Sequence, residues 1–296
     1  MAFKFNFQSH SKSITVEDED DELTAKTSKE ITLDVPTESR TRRNSIEIQP
    51  KDHKTHLPHE VKTIKQEFQG VKLTVIEQRS LEIYLTKQDF GELDILEAVS
   101  WHVDLAPGVY EGGFKVWECG VDLANFLCDQ CIEIAGKRVL ELGCGAGLPG
   151  LCAMKKDAKA VHFQDYNSEV IEYLTVKNVL LNNKDKCECR FFSGDWSTLV
   201  NAISPNNPKP CSYDIILTAE TIYNPECYEM LSKVLDALLA PDGVIYVSAK
   251  CNYFGVGGGT RLFEDHLTAA GRFTSEVYHR ITANVPREIL KIVRKT

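Results

Sequence analysis

Four short clusters carry the residue types from which a nucleotide-type cofactor site is built. The first is Glu141-Leu142-Gly143-Cys144-Gly145-Ala146-Gly147-Leu148. Glycines at 143, 145 and 147 permit a tight turn with positive φ and leave its amides open to a ligand. Asp165, between Gln164 and Tyr166, is a carboxylate able to accept both ribose hydroxyls of a nucleoside, with capping of the next helix as its bland alternative. Gly194-Asp195-Trp196 offers an acceptor for an adenine amino group and an indole to stack on the ring. The last cluster, Thr218-Ala219-Glu220-Thr221-Ile222-Tyr223, sets an acid and a phenol three residues apart, with core packing of Tyr223 as the alternative. The glycine spacing alone admits two cofactors. A dinucleotide fingerprint, G-x-G-x-x-G, is found only by starting at Gly145, Gly147 and Gly150, beyond the strand end. The pattern (D/E)-x-G-x-G-x-G starts at Glu141 and fits the strand–turn boundary directly.

Such clusters act together only if regular elements bring them together, and the hydrophobic pattern predicts those elements. A strand over 138–142 runs into a helix from Leu148. Strands follow over 160–164, 189–192, 213–218 and 244–249, with helices over 168–181 and 225–239. Asn224 suits the N-cap of the latter helix and Pro225 its first turn. This alternation predicts a doubly wound parallel α/β sheet, in which ligands lie outside the carboxyl ends of the strands. Each cluster follows a strand. Upstream, Val71-Lys72-Leu73-Thr74-Val75-Ile76 alternates as a half-buried strand and residues 121–127 have helical spacing. Folded structure is expected to start near Val71. Downstream, Gly255-Val256-Gly257-Gly258-Gly259 reads either as a flexible linker or as a loop that moves over a substrate or lets its backbone approach. Two final strands, 273–280 and 287–293, are expected to pair antiparallel.

The 296 residues, 43% of them hydrophobic, suffice for one large domain over 61–296 and a tail over 1–60. The tail carries Glu17-Asp18-Glu19-Asp20-Asp21-Glu22 and is expected to be disordered. Two motifs stand out in it. Phe3, Phe5 and Phe7 alternate and suit an edge strand or a partner, and Arg40-Thr41-Arg42-Arg43-Asn44-Ser45 reads as a nuclear signal, a basophilic-kinase site or plain solvated charge. A net charge of -9 argues against a broad nucleic-acid-binding surface and favours a basic partner. No apolar run reaches the roughly 18 residues of a membrane span, and no signal peptide is evident; a soluble intracellular protein is expected. The ten cysteines read as reduced thiols, and neither Cys128-Asp129-Gln130-Cys131 nor Cys187-Glu188-Cys189 completes a metal-ligand set, so no metal is expected.

The pattern from Glu141 resembles motif I of the S-adenosylmethionine-dependent methyltransferases, and Glu-x-x-Tyr at Glu220 resembles the protein methyltransferases of the seven-strand class. Gly108-Val109-Tyr110-Glu111-Gly112-Gly113-Phe114-Lys115-Val116-Trp117-Glu118-Cys119, His162-Phe163-Gln164-Asp165-Tyr166-Asn167, Phe191-Phe192-Ser193-Gly194-Asp195-Trp196 and Tyr253-Phe254-Gly255 resemble the histidine protein methyltransferase family. The likeness runs from about Phe68 to the C-terminus and includes the Phe3-Lys4-Phe5-Asn6-Phe7 start. It implies a Rossmann-like class I fold with a seven-stranded sheet and an antiparallel last strand, S-adenosyl-L-methionine as cofactor, and methylation of the tele nitrogen of one histidine in the L-three protein of the large ribosomal subunit. Carried over by position, the cofactor contacts are Val116, Trp117, Glu118, Cys119, Gly143, Gln164, Asp165, Tyr166, Gly194, Asp195, Trp196, Thr218 and Ala219, beside Glu141, Gly145 and Gly147 of the glycine motif. Glu220 is the first candidate to orient the acceptor, Glu111 the second, with Tyr223 and Tyr253 as positioning groups. A lysine methyltransferase of the same fold and a cofactor-binding ribosome-assembly scaffold without turnover are the competing readings. A monomer in cytoplasm and nucleus is expected.

Overall fold

The computed structural model describes residues 43–50, 57–87, 105, 109–129, 132–183, 187–205 and 212–295. In chain order the elements are β1 (Ile46–Ile48), β2 (Thr63–Phe68), β3 (Val71–Ile76), α1 (Gln78–Thr86), α2 (Glu118–Asp129), β4 (Arg138–Leu142), α3 (Leu148–Lys155), β5 (Ala160–Asp165), α4 (Ser168–Val170), a π-helical turn (Ile171–Thr175), α5 (Val176–Asn182) and β6 (Glu188–Ser193). They continue as α6 (Trp196–Ile203), β7 (Tyr213–Ala219), a 3-10 turn (Pro225–Cys227), α7 (Tyr228–Leu238), β8 (Leu239–Lys250), α8 (Thr260–Ala270), β9 (Phe273–Ile281) and β10 (Arg287–Arg294).

Strand order in the large sheet is β1-β6-β5-β4-β7-β8-β10-β9. The five strands from β6 to β8 are parallel, and β10 lies antiparallel between β8 and β9. The order reverses between β4 and β7, and that switch point is where an open α/β sheet leaves its ligand crevice. Because the parallel strands are covered on both faces, their side chains are apolar in both directions. Val139, Ile215 and Leu217 face a layer containing Leu123, Leu127, Leu151 and Ile171. Leu140, Ile216 and Ile245 face another with Leu199, Leu231, Leu235 and Phe263.

Three features depart from the expected pattern. The sheet has eight strands rather than seven, because β1, within the span read as tail, pairs antiparallel with β6. Folded structure begins before Val71, since β2 pairs with β3 as a separate hairpin. Asn178 and Asn182, one turn apart on α5, hydrogen-bond the backbone of Ile76 and Thr74, so the edge of β3 is satisfied by side chains. β8 begins at Leu239 rather than at 244, with Pro241-Asp242-Gly243 as a bulge inside it. Tyr213 pairs with Leu239 and Ile215 with Val244, leaving the intervening residues opposite Asp214 alone. The acidic run and the Phe3–Phe7 motif lie outside the described residues.

Candidate active site

The glycine turn after β4 is held from below. Gly143, Gly145 and Gly147 have φ of 60°, 48° and 74°. A Cβ at Gly145 would lie 2.9 Å from the Gly113 carbonyl, and one at Gly143 would lie 2.6 Å from the Thr221 methyl. Glycine is therefore required both for backbone angle and for space. Thr175, in the π-turn, donates its hydroxyl to the Gly145 carbonyl at 2.6 Å, and Asn178 donates to that of Ala146. The extra residue of a π-turn re-aims one side chain, and here it sets Thr175 under the loop.

Around the turn lies a cavity of about 600 Å³, within the ordinary range for a small-molecule site. Of the residues singled out by sequence, Glu111, Val116, Trp117, Glu141, Gly143, Gly145, Gly147, Gln164, Asp165, Tyr166, Gly194, Asp195, Trp196, Ala219, Glu220, Tyr223 and Tyr253 line it. Glu118, Cys119 and Thr218 do not. Cys119 is buried, its thiol pushed well up by burial and then by the Glu220 carboxylate. Thr218 spends its hydroxyl on the Leu142 carbonyl and on Thr221, and Glu118 turns to Lys250.

Several lining groups are committed to the wall itself. Asp165 accepts from the Gly145 amide at 2.9 Å, and burial raises its pKa to about 6. Glu141 accepts from the Gly150 amide at the start of α3, and burial lifts its pKa to about 8. Asp195 caps α6 by accepting from the Ser197 amide. Gln164 joins three strand ends with one amide: its nitrogen donates to the Gly194 carbonyl, and its oxygen accepts from the Trp196 indole at 2.8 Å and the Gly143 amide at 3.4 Å. The Trp117 indole donates to the Gly112 carbonyl.

At the other end stand two tyrosine–carboxylate pairs. Tyr223 donates to Glu111, and Tyr253 donates to Glu220 at 2.5 Å. The two rings meet edge to face with centroids 6.3 Å apart. Burial, reinforced by the adjoining carboxylate, pushes both phenols well above their usual range, so both remain donors. Glu220 has φ of 58°, a left-handed conformation uncommon for a residue with a side chain and one that concentrates at functional sites. Lys250 completes the group: 4% exposed, its ammonium lies 3.2 Å from Glu220 and 3.4 Å from Glu118. Sequence reading missed Lys250, although it sits at a strand end like the other site residues and the same rule would have found it.

The glycine run of 255–259 is docked on the site rather than hanging as a free linker. A Cβ on Gly258 would lie 2.3 Å from the carbonyls of Ile222 and Tyr223, and its amide donates to Tyr223. Glycine there lets the loop dock on the Glu220–Tyr223 turn. Phe254, at the tip, is 75% exposed.

A family model described as lysine methyltransferase matches residues 107–254. The chain is 37% identical over 270 residues to the histidine protein methyltransferase 1 homolog of Bos taurus, covering 83% of this chain and 71% of that protein. It is 43% identical over 195 residues to the homolog of Dictyostelium discoideum, covering 65% of this chain and 61% of that protein. In fold it is similar, with a TM-score of 0.52 at 14% identity, to a structure from Streptococcus mutans assigned as a SAM-dependent methyltransferase, covering 80% of this chain and 56% of that one. A methyltransferase complexed with SAH gives a TM-score of 0.51 at 15% identity, covering 80% and 57%.

The cavity suits S-adenosylmethionine. A cradle of glycine backbone that any Cβ would disturb, the Tyr166 and Trp196 rings, and a lining in which carboxyl groups outnumber cations match an adenosine joined to a sulfonium. Gly143, Gly145, Gln164, Tyr166, Gly194 and Trp196 would hold it together with Val116, Trp117 and Ala219.

Proposed function

Because this chain belongs to the histidine protein methyltransferase 1 family, we propose that it methylates the tele nitrogen of a protein histidine and that its substrate is the basic L-three protein of the large ribosomal subunit. The observation that carries this reading is the pair of tyrosine–carboxylate contacts, Tyr223–Glu111 and Tyr253–Glu220, side by side in the wall of the cofactor cavity. The cofactor supplies an electrophilic sulfonium methyl group. A lysine acceptor must first lose a proton, which at pH 7 costs about 4–5 kcal/mol, whereas imidazole is already mostly neutral. No strong base is then required. What is required is an acceptor for the N–H of the non-reacting ring nitrogen, which selects the tautomer and stabilises the imidazolium as it forms. Glu220, fixed by Tyr253 and Lys250, takes that role, with Tyr223 and Glu111 closing the other side of the ring.

A lysine acceptor is the second reading, favoured by the description of the matching family model; a cofactor-binding scaffold without turnover is the third. The test is incubation with methyl-labelled S-adenosylmethionine and large-subunit proteins from cells lacking the enzyme, with mass-spectrometric location of the label. Label on a histidine of L-three is expected. Label on lysine supports the second reading, and no label with tight cofactor binding supports the third. With a ribosomal protein as substrate, we further propose cytoplasm and nucleus as its compartments, and an enzyme that works as a monomer and does not read nucleic acid directly.

A further inference from the structure

Residues 43–48 have no task in methyl transfer, yet they are fastened tightly to the cavity wall. The Asp195 amide donates to the Arg43 carbonyl at 2.8 Å. The Ser45 hydroxyl donates to the Asp195 carbonyl at 2.6 Å, and the Ser45 amide donates to the Thr198 hydroxyl at 2.7 Å. β1 then pairs with β6, Ile46 opposite Ser193. The Arg43 guanidinium lies over the Tyr166 ring at 5.6 Å and 3.9 Å from Glu169. The approach is close enough that a Cβ on Gly194 would lie 2.6 Å from the Ser45 Cα. Tyr166, Gly194 and Asp195, which this strap contacts, and Trp196, the next residue along, all line the cavity.

Ser45 lies in Arg42-Arg43-Asn44-Ser45-Ile46, with basic residues three and two positions before the hydroxyl and an apolar residue after it. We propose that Ser45 is a phosphorylation site for a basophilic ATP-dependent protein kinase, and that phosphate there frees the strap from Gly194-Asp195-Trp196 and weakens cofactor binding. In the transfer the Ser45 oxygen bonds to the γ-phosphorus, the bond from that phosphorus to the bridging oxygen breaks, ADP leaves, and the hydroxyl proton passes to the kinase's base. β1 is three residues long and holds to one neighbour at the sheet edge, so the hydroxyl becomes accessible to a kinase by local opening rather than global unfolding.

The phosphorylated side chain cannot return to its place. Its oxygens only accept, so the Asp195 carbonyl loses its donor and faces a dianion instead. The Ser45 oxygen now lies 2.6 Å from the Asp195 carbonyl oxygen, a separation that only the hydroxyl proton between them permits. Asp195 and Glu169 add like charge. Arg43, the nearby cation, is drawn toward the phosphate and away from Tyr166. Every one of these changes loosens the same stretch of wall. The proposal rests on the cofactor and not on the identity of the methyl acceptor.

The full chain and Ser45→Ala are each treated with a kinase directed at Arg-Arg-x-Ser and with ATP, and phosphate is mapped by mass spectrometry. S-adenosylhomocysteine affinity is measured by calorimetry and protection of the Asp195 amide by hydrogen exchange. The expected result is phosphate on Ser45, a rise in Kd of about tenfold, equivalent to about 1.4 kcal/mol, loss of Asp195 protection, reversal by phosphatase, and no kinase-dependent change in Ser45→Ala. Absence of phosphate on Ser45, a Kd change below about threefold, or retained Asp195 protection overturns the proposal.

Discussion

Glu220 occupies a backbone conformation that glycine would adopt more readily, and the surroundings hold it there. Its amide donates to the Ser248 carbonyl, its carboxylate takes Tyr253 and Lys250, and the following Thr221 bonds Thr218. If that carboxylate stabilises positive charge on the acceptor, Glu220→Gln lowers kcat by about 100-fold while S-adenosylhomocysteine affinity stays within about twofold. Rapid-quench turnover and calorimetry test the split; equal loss in both would make Glu220 a structural residue. Glu141 has a different role. Its pKa of about 8 lies above the ordinary 4.5, so the folded state binds this proton more tightly than the unfolded chain. The stability this contributes is complete below about pH 4.5 and is lost as pH rises through about 8. Glu141→Gln keeps an acceptor for the Gly150 amide and removes the titration. Its melting temperature is expected to fall by several degrees less than that of the wild type between about pH 5 and about pH 9. At this scale sequence reading located the cavity wall but not its internal wiring. Asp165, Glu141 and Asp195 look like ligand acceptors in sequence and line the cavity, and each also gives one oxygen to a backbone amide, at Gly145, Gly150 and Ser197. The partners of Asp165 and Glu141 lie 20 and 9 residues away and cannot be inferred from residue type, whereas that of Asp195 lies two residues on, at ordinary N-cap spacing.

Elements fix how these side chains meet. The parallel strands and the helices α3, α5 and α7 were legible because long apolar runs bounded by glycine, asparagine and proline leave few alternatives. β1 and α6 were missed. β1 has three residues of which only Ile48 is buried, too few to show a period, whereas in α6 Trp196, Leu199, Val200 and Ile203 recur at helical spacing behind the Asp195 cap, so its signal was present but short. Both are stabilised by each other, through Ser45, Asp195 and Thr198. The loop between β8 and α8 was legible as glycine-rich but not as docked, since the groups that exclude a Cβ at Gly258 are carbonyls of a distant turn. With its backbone anchored, the loop presents Phe254 to solvent between Tyr253 and Val256, which line the cavity, and an aromatic side chain so placed would be able to anchor a protein substrate. Phe254→Ala is expected to raise KM for the protein substrate by about tenfold with kcat and cofactor affinity little changed, as steady-state kinetics would reveal. An unchanged KM would remove Phe254 from the docking surface.

For the molecule as a whole, the strand order places the glycine turn, the Gln164–Trp196 link and the two tyrosine–carboxylate pairs at one end of the sheet, and the reversal between β4 and β7 opens the crevice they line. The net charge of -9 then bears on encounter rather than on chemistry. If the substrate is basic, kcat/KM for it falls several-fold between low salt and about 0.5 M salt, while affinity for S-adenosylhomocysteine, bound in the cavity, changes little. Stopped-flow binding at several ionic strengths measures both. Whether the acceptor is an imidazole nitrogen is read from the chemical identity of the product. L-three protein methylated by the purified enzyme with labelled S-adenosylmethionine is hydrolysed to amino acids and the labelled one identified. Tele-methylhistidine is expected, formed at a rate that levels off once pH exceeds the imidazole pKa near 6.5. Methyllysine, with a rate that continues to climb toward pH ~10, would contradict an imidazole acceptor.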